Sequence, residues 1–235
     1  MLWLKAWLET RWRLLFMLFI GALVLALLVE VFGSARAAAH PQQVFSVLLR
    51  INVLMSLIGA IMLAGSGIET ASPRPGPSGN GSERTSLFTL SLPVTRTRLF
   101  AVRTVSGVLA SVVLVVLLGV VTWLLMPRHA VNAHETLAYL PTILSCSLAA
   151  YAISACLSTF CDEGWRIRGS GLVVVVLFML AAAGKLPRSI NIFRGIGVTS
   201  PLVAQQVPWM TIATACILAL LFFGAALMII RGRDY

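Results

Sequence analysis

Charged residues are scarce in this chain. They make up 11% of its 235 residues, whereas 59% are hydrophobic. A soluble domain typically has about 25% charged and roughly 45–50% apolar residues, which lets it surround its core with polar surface. This chain lacks the polar groups for such a surface. Its composition therefore excludes an ordinary soluble domain and indicates that the lipid bilayer is its solvent.

Cysteine is also rare, and its spacing carries no motif. The four cysteines are Cys146, Cys156, Cys161 and Cys216, and no two of them form a C-x-x-C pair. A disulfide framework is therefore not expected. The cysteines are interpreted as small apolar residues that fill the space between helices.

Motifs for catalysis and for nucleotide binding are incomplete. The sequence HETLA at 134–138 begins like the zinc motif H-E-x-x-H, but Ala138 stands where the second histidine is needed. The Gly184-Lys185 pair has Met179 in place of the first glycine of a phosphate-binding loop, and leucine follows the lysine. The chain is therefore not expected to be an enzyme or to bind a cofactor or metal directly.

Long apolar stretches, in contrast, are abundant. A membrane span needs about 20 residues, because a helix rises ~1.5 Å per residue and the hydrocarbon core is ~30 Å thick. Six stretches are predicted to span: 14–32, 44–65, 105–126, 140–160, 169–184 and 210–230. Helices are expected because each satisfies its own backbone hydrogen bonds in lipid. The predicted fold is an all-α, polytopic single transmembrane domain over 1–235.

Two segments outside the spans are predicted to lie at the membrane surface. Trp3, Leu4, Trp7 and Leu8 share one face of an N-terminal helix, which is typical of an interfacial helix. The segment 186–209, on the outer side, is too polar to span and too apolar for solvated coil. Short re-entrant or interfacial helices are expected there.

The basic residues indicate the orientation. With the N-terminus in the cytoplasm, twelve of the 18 lysines and arginines fall on the cytoplasmic side and six lie outside or near the outer face. This bias is typical of cytoplasmic loops. Both termini are predicted to be cytoplasmic, in the cytoplasmic (inner) membrane. The net charge of +10 is attributed to this topology, and no nucleic-acid partner is expected.

Polar residues inside the spans have two interpretations. Those of the second and fourth spans share a helical face, and they are Asn52, Ser56, Ser147, Tyr151, Ser154 and Ser158. They join one helix to another, or they line a substrate path.

Glu30 and Arg50 also lie within apolar stretches, on either side of the first outer loop. They form a structural ion pair across the first two spans, or both extend to the outer interface.

The longest loop, 66–104, has two parts. Residues 71–82, ASPRPGPSGNGS, are rich in Pro, Gly and Ser and are predicted to be a flexible insert. The next stretch, ERTSLFTLSLPVTRTR at 83–98, keeps leucines and a phenylalanine in a cytoplasmic loop. Pro93 ends any helix that begins near Glu83. An apolar helix there lies on the membrane or docks into a partner protein.

This stretch resembles the E-x-x-x-x-L…L-P-V-[ST]-R signature in the permease subunits of type-2 ABC transporters. In that family the signature follows the second span and forms a coupling helix that docks into a separate ATPase. TSPL at 199–202 and RGRDY at 231–235 are similar to further stretches of the family. The resemblance implies that the ATPase-coupling residues are Glu83, Leu87, Phe88, Leu90, Leu92, Pro93 and Arg96.

The resemblance implies a permease subunit of an ATP-driven exporter. ATP and Mg would bind to a dimeric ATPase partner, and a second permease subunit, identical or not, would complete the complex. The resemblance implies export of a substrate or its extraction from the membrane, and the scarcity of charge in the spans favours an amphipathic or lipid-like substrate over a strongly ionic one. Two alternatives remain: a membrane anchor for mechanical signalling or complex assembly, and a haem-handling permease of cytochrome c maturation. His40, His129 and His134, on the outer side, favour the latter.

Overall fold

The computed structural model describes residues 2–39, 41–64, 96–125, 133–161, 163–183, 185 and 208–232. Within these ranges the chain is helical, with no strand. The six helices are α1 (Leu2–Ala39), α2 (Pro41–Leu63), α3 (Arg96–Leu125), α4 (Ala133–Leu157), α5 (Glu163–Ala182) and α6 (Trp209–Arg231).

Four segments of these helices are long and apolar enough to cross a membrane: Ala6–Val31, Thr97–Leu125, Tyr139–Leu157 and Trp209–Arg231. A shorter apolar stretch, Val47–Leu63, lies in α2. Large apolar side chains such as Phe16, Phe19 and Leu220 are exposed on the helix surfaces, where a soluble protein rarely shows continuous apolar area. Among the described residues the predicted all-α fold is confirmed, and the four long apolar helices suggest a membrane-embedded protein. The arrangement of six spans stays a prediction.

Helix boundaries differ from the predicted spans mainly where helices continue past the apolar run. The N-terminal segment is helical, as expected, but it is continuous with the first span in the 38-residue α1. At ~1.5 Å per residue this helix is about 57 Å long, far more than the ~30 Å hydrocarbon core. α5 begins at Glu163 rather than at 169. Apolar content identifies the part of a helix that suits lipid. Backbone hydrogen bonding continues beyond that part, so the helix is longer than the apolar stretch.

α4 is the central helix of the described fold. It packs against α2, α3, α5 and α6, while α1 packs against α2 and α3. Small residues permit these close approaches. A Cβ added at Gly59 would meet Leu114, and one added at Gly107 would meet Tyr151. These glycines therefore let α3 approach α2 and α4.

α6 turns a narrow stripe of mostly small residues toward the bundle. The buried residues of this stripe are Thr211, Ala215, Ala219, Ala226 and Ile230. Their spacing of about one helical turn places them on one face, which packs chiefly on α4. Met210, Leu220 and Met228, on the other faces, are exposed, as suits a helix at the lipid boundary.

Candidate functional site: polar clusters around α2

The last turn of α2 has backbone carbonyls that receive no hydrogen bond from a basic side chain of α2 itself. The last four carbonyls of a helix lack intrahelical donors, and α2 has no basic residue in its last turn. Two arginines from other helices supply donors instead. Arg13 Nη1 of α1 donates to the Met62 carbonyl at 3.3 Å, and Arg166 Nη1 of α5 donates to the Ile61 carbonyl at 3.3 Å.

Arg166 makes a further contact that brings in α4. Its Nη1 lies 3.5 Å from Ser154 Oγ, and Ser154 Oγ donates to the same Ile61 carbonyl at 3.3 Å. The Arg166 side chain is only 1% exposed. Arg13, Ser154 and Arg166, with the carbonyls of Ile61 and Met62, are called the α2-end cluster below. They join α1, α2, α4 and α5.

The helix dipole favours positive charge at this position. A cation at a helix C-terminus contributes typically about 0.3–1 kcal/mol, and up to ~2 kcal/mol when partly buried. Burying a guanidinium works against this gain, because each buried ion carries a desolvation penalty of roughly several kcal/mol. The Ile61 carbonyl and the Ser154 hydroxyl offset part of the cost of enclosing Arg166.

Tyr151 extends the α2-end cluster toward the remaining helices. Its hydroxyl donates to the Thr104 carbonyl of α3 at 3.3 Å, and its ring centroid lies 6.0 Å from that of Phe223 in α6. Arg166 interacts electrostatically with it. Tyr151 lies one turn before Ser154 on α4. With its contacts to α3 and α6, the α2-end cluster and Tyr151 together contact all six described helices.

A second group of polar residues lies farther along α2 and is uncharged. Asn52 Nδ2 donates to Thr122 Oγ1 of α3 at 2.8 Å, and Ser56 Oγ donates to Asn52 Oδ1 at 3.2 Å. Thr122 Oγ1 donates in turn to the Leu118 carbonyl at 2.8 Å. Asn52, Ser56 and Thr122, all fully buried, are called the midspan cluster below. It fixes α2 against α3.

The residues predicted for a substrate path are all buried in this conformation. Asn52 and Ser56 belong to the midspan cluster, and Tyr151 and Ser154 bond to neighbouring helices. Ser158, the first residue after α4, donates its hydroxyl to the Ala155 carbonyl at 2.6 Å, while Ser147 Oγ has no hydrogen-bond partner among the described residues. These contacts favour the helix–helix interpretation, and the substrate path stays a prediction.

The proposed pair of Glu30 and Arg50 is not brought together. Both side chains are exposed, and no hydrogen bond or ion pair joins them in the part of the chain that the structure describes. Their exposure favours the alternative, in which both extend toward the outer interface.

Sequence reasoning missed Arg166 as a buried residue because CDEGWRIR at 161–168 lies between two predicted spans, 140–160 and 169–184, and its arginines count among the basic residues of the cytoplasmic side. The signal was present: Asp162 and Glu163 are acidic residues of the kind that occupy a helix N-terminus. A helix that starts there places Arg166 in its first turn. Thr122, in contrast, is a single hydroxyl residue in an apolar stretch, and only the packing of α3 on α2 identifies it as a partner of Asn52.

The coupling residues Glu83–Pro93 and the insert 71–82 lie outside the described residues, as do His40, His129 and TSPL at 199–202. So do residues 186–207, where outer re-entrant or interfacial helices are predicted. Arg96 is the first residue of α3. Comparisons of the chain with protein-family models, with characterised proteins and with solved structures find no match.

Proposed function

We propose that this chain is the transmembrane permease subunit of an ATP-driven ABC exporter. The observation that carries the proposal is the motif at Glu83–Arg98, which occupies the connection between α2 and α3. Its last three residues, Arg96–Arg98, open α3. Its polar and apolar residues fit a segment that leaves the membrane, presents leucines and a phenylalanine to a partner, and returns.

The proposed mechanism uses a separate ATPase dimer that closes when it binds ATP and Mg. Its movement reaches the permease through the segment around Leu87–Leu92 and passes to the ends of α2 and α3. Helices of two permease subunits, identical or different, then shift against each other. An amphipathic substrate is expelled or extracted from the membrane as they do so.

The proposal includes a topology of six spans in the cytoplasmic membrane, with both termini in the cytoplasm. The excess of basic residues on one side supports it. An impermeant reagent applied to intact cells should leave a tag after Tyr235 unlabelled, and permeabilised cells should label it. Labelling from outside in intact cells would contradict the six-span topology.

Phe88→Asp tests the proposed docking. Burial of one phenylalanine contributes roughly 1.5–3 kcal/mol, and ~1.4 kcal/mol is a factor of ten in affinity. We expect the variant to retain at least tenfold less ATPase than wild type when both are purified from membranes at matched levels. Insertion should be unchanged, because residue 88 lies outside every predicted span.

Asn80→Asp is the matched control, since it adds the same charge within the insert 71–82, outside the proposed coupling residues. It should retain the ATPase at the wild-type level. The rival interpretation, an apolar helix that rests on lipid, predicts equal ATPase recovery from Phe88→Asp and wild type. That result would end the assignment of a coupling helix.

A further inference from the structure

Arg166 is not needed to satisfy the end of α2. The Ile61 carbonyl already accepts a hydrogen bond from Ser154 Oγ, so removing the guanidinium leaves no orphaned acceptor at that residue. Enclosing a guanidinium carries a desolvation penalty of roughly several kcal/mol. The need of the Ile61 carbonyl for a donor therefore does not account for a fully buried arginine at this position.

Its location suggests a different role. Ile61 lies two residues before the end of α2, after which the chain enters the connection to α3. Ser154 lies in the last turn of α4, and Arg166 lies in the first turn of α5. One nitrogen thus contacts both the exit of α2 and the exit of α4, so these ends cannot separate without breaking its contacts.

The lengths of these hydrogen bonds suit contacts that can break and form again. The Nη1 distances to the Ile61 carbonyl and to Ser154 Oγ are 3.3 and 3.5 Å, which is longer than the roughly 2.7–2.9 Å of strong charge-assisted hydrogen bonds. Long bonds shared by one guanidinium nitrogen hold the helix ends together but break on a modest displacement of α2.

We propose that Arg166 is a latch that holds the end of α2 against α4 and α5 in the resting state. The latch opens when the partner ATPase moves the connection between α2 and α3. This inference rests on the proposed function for what opens the latch, whereas the resting contact is independent of it. Arg166 is thereby a positioning residue that sets when the helix ends can separate.

Ala64→Cys offers a reporter of the latch. Ala64 directly follows α2, lies three residues after Ile61 and is only 1% exposed. With the four native cysteines replaced by alanine, the reaction of this thiol with a small methanethiosulfonate reagent reports opening of this end of the bundle. The rate is measured on the purified permease–ATPase complex, with and without ATP and Mg.

In the protein with Arg166, labelling should be slow without ATP and faster during ATP turnover. Arg166→Met should label at least tenfold faster without ATP and should no longer respond to ATP. Arg166→Lys keeps the charge but places it on a single ammonium nitrogen in place of the planar guanidinium, so it should show an intermediate rate and keep the response. Arg168→Met, on an exposed residue of the same helix, should behave like wild type.

Slow, ATP-responsive labelling of Arg166→Met would overturn the proposal and leave Arg166 a packing residue. If Arg166→Met does not accumulate, Ser154→Ala removes one contact of the latch and keeps the charge. Its labelling should be faster than wild type, and an unchanged rate would also overturn the latch. If the unsubstituted permease binds no ATPase, the proposed function fails, while the nucleotide-free comparison still decides whether the latch exists.

Discussion

The midspan cluster and the α2-end cluster both attach α2 to its neighbours, but they do so with different chemistry. The midspan cluster is neutral, joins only α2 and α3, and includes bonds of 2.8 Å. The α2-end cluster contains two arginines, joins four helices, and uses bonds of 3.3–3.5 Å. The midspan cluster thus has the shorter hydrogen bonds and joins two helices, whereas the α2-end cluster has longer hydrogen bonds and joins four.

The difference follows from position along the helix. In the middle of α2 every backbone carbonyl is already bonded, so side chains must bond to one another, and a charge would be costly to enclose. At the end of α2 free carbonyls and the helix dipole receive cations. We infer that the midspan cluster fixes the register of α2 and α3, while the α2-end cluster lets the helix ends change their arrangement.

Gly107→Leu should lower the stability of the protein most strongly, through Tyr151 beside the α2-end cluster. A side chain at residue 107 would occupy the place of the Tyr151 hydroxyl, and overpacking of a core costs typically about 1–3 kcal/mol. Because Tyr151 is enclosed and cannot move aside, we expect a loss near the upper end of that range. The measurement is the free energy of unfolding in mixed micelles.

Gly224→Leu is the control for this substitution. A Cβ at Gly224 meets no atom within 4 Å, so the same added side chain should project freely and cause no loss of stability, because leucine also favours a helix more than glycine does. Equal losses from the two variants would show that the effect comes from glycine replacement in a helix and not from the contact of Gly107 with Tyr151.

Asn52→Leu tests the midspan cluster with a side chain of similar size. It removes two hydrogen bonds, and such bonds between membrane helices average ~0.6 kcal/mol each in double-mutant cycles. A loss of about 1 kcal/mol is therefore expected from unfolding measurements. Combining it with Thr122→Val should give less than the sum of the single losses, because both remove the same bond. Strict additivity would contradict the contact.

The sequence carried enough information to predict the class of fold. Long apolar runs and scarce charge predict membrane helices at α1, α3, α4 and α6 because lipid imposes a simple rule on composition. The same rule cannot show which face of a helix meets another. Thus Asn52 and Ser154 were recognised as polar positions, but their partners, Thr122 and the Ile61 carbonyl, depend on helix rotation and depth. Arg166 was assigned to a loop because arginine counts as a marker of the aqueous side.

Ser154→Ala should have the smallest effect, even though its bond spans two helices. The Ile61 carbonyl keeps Arg166 as a donor, so no buried acceptor is orphaned, and the loss should be about 0.5 kcal/mol, near the average for such bonds. Ser158→Ala is the matched control: it removes a buried hydroxyl that donates to the Ala155 carbonyl three residues earlier and to no other described helix, and it should cost still less. The free energy of unfolding is compared for both variants. If Ser154→Ala cost as much as Asn52→Leu, Ser154 rather than Arg166 would be the principal donor at the end of α2. The contrast between a fixed midspan cluster and an adjustable α2-end cluster would then be wrong.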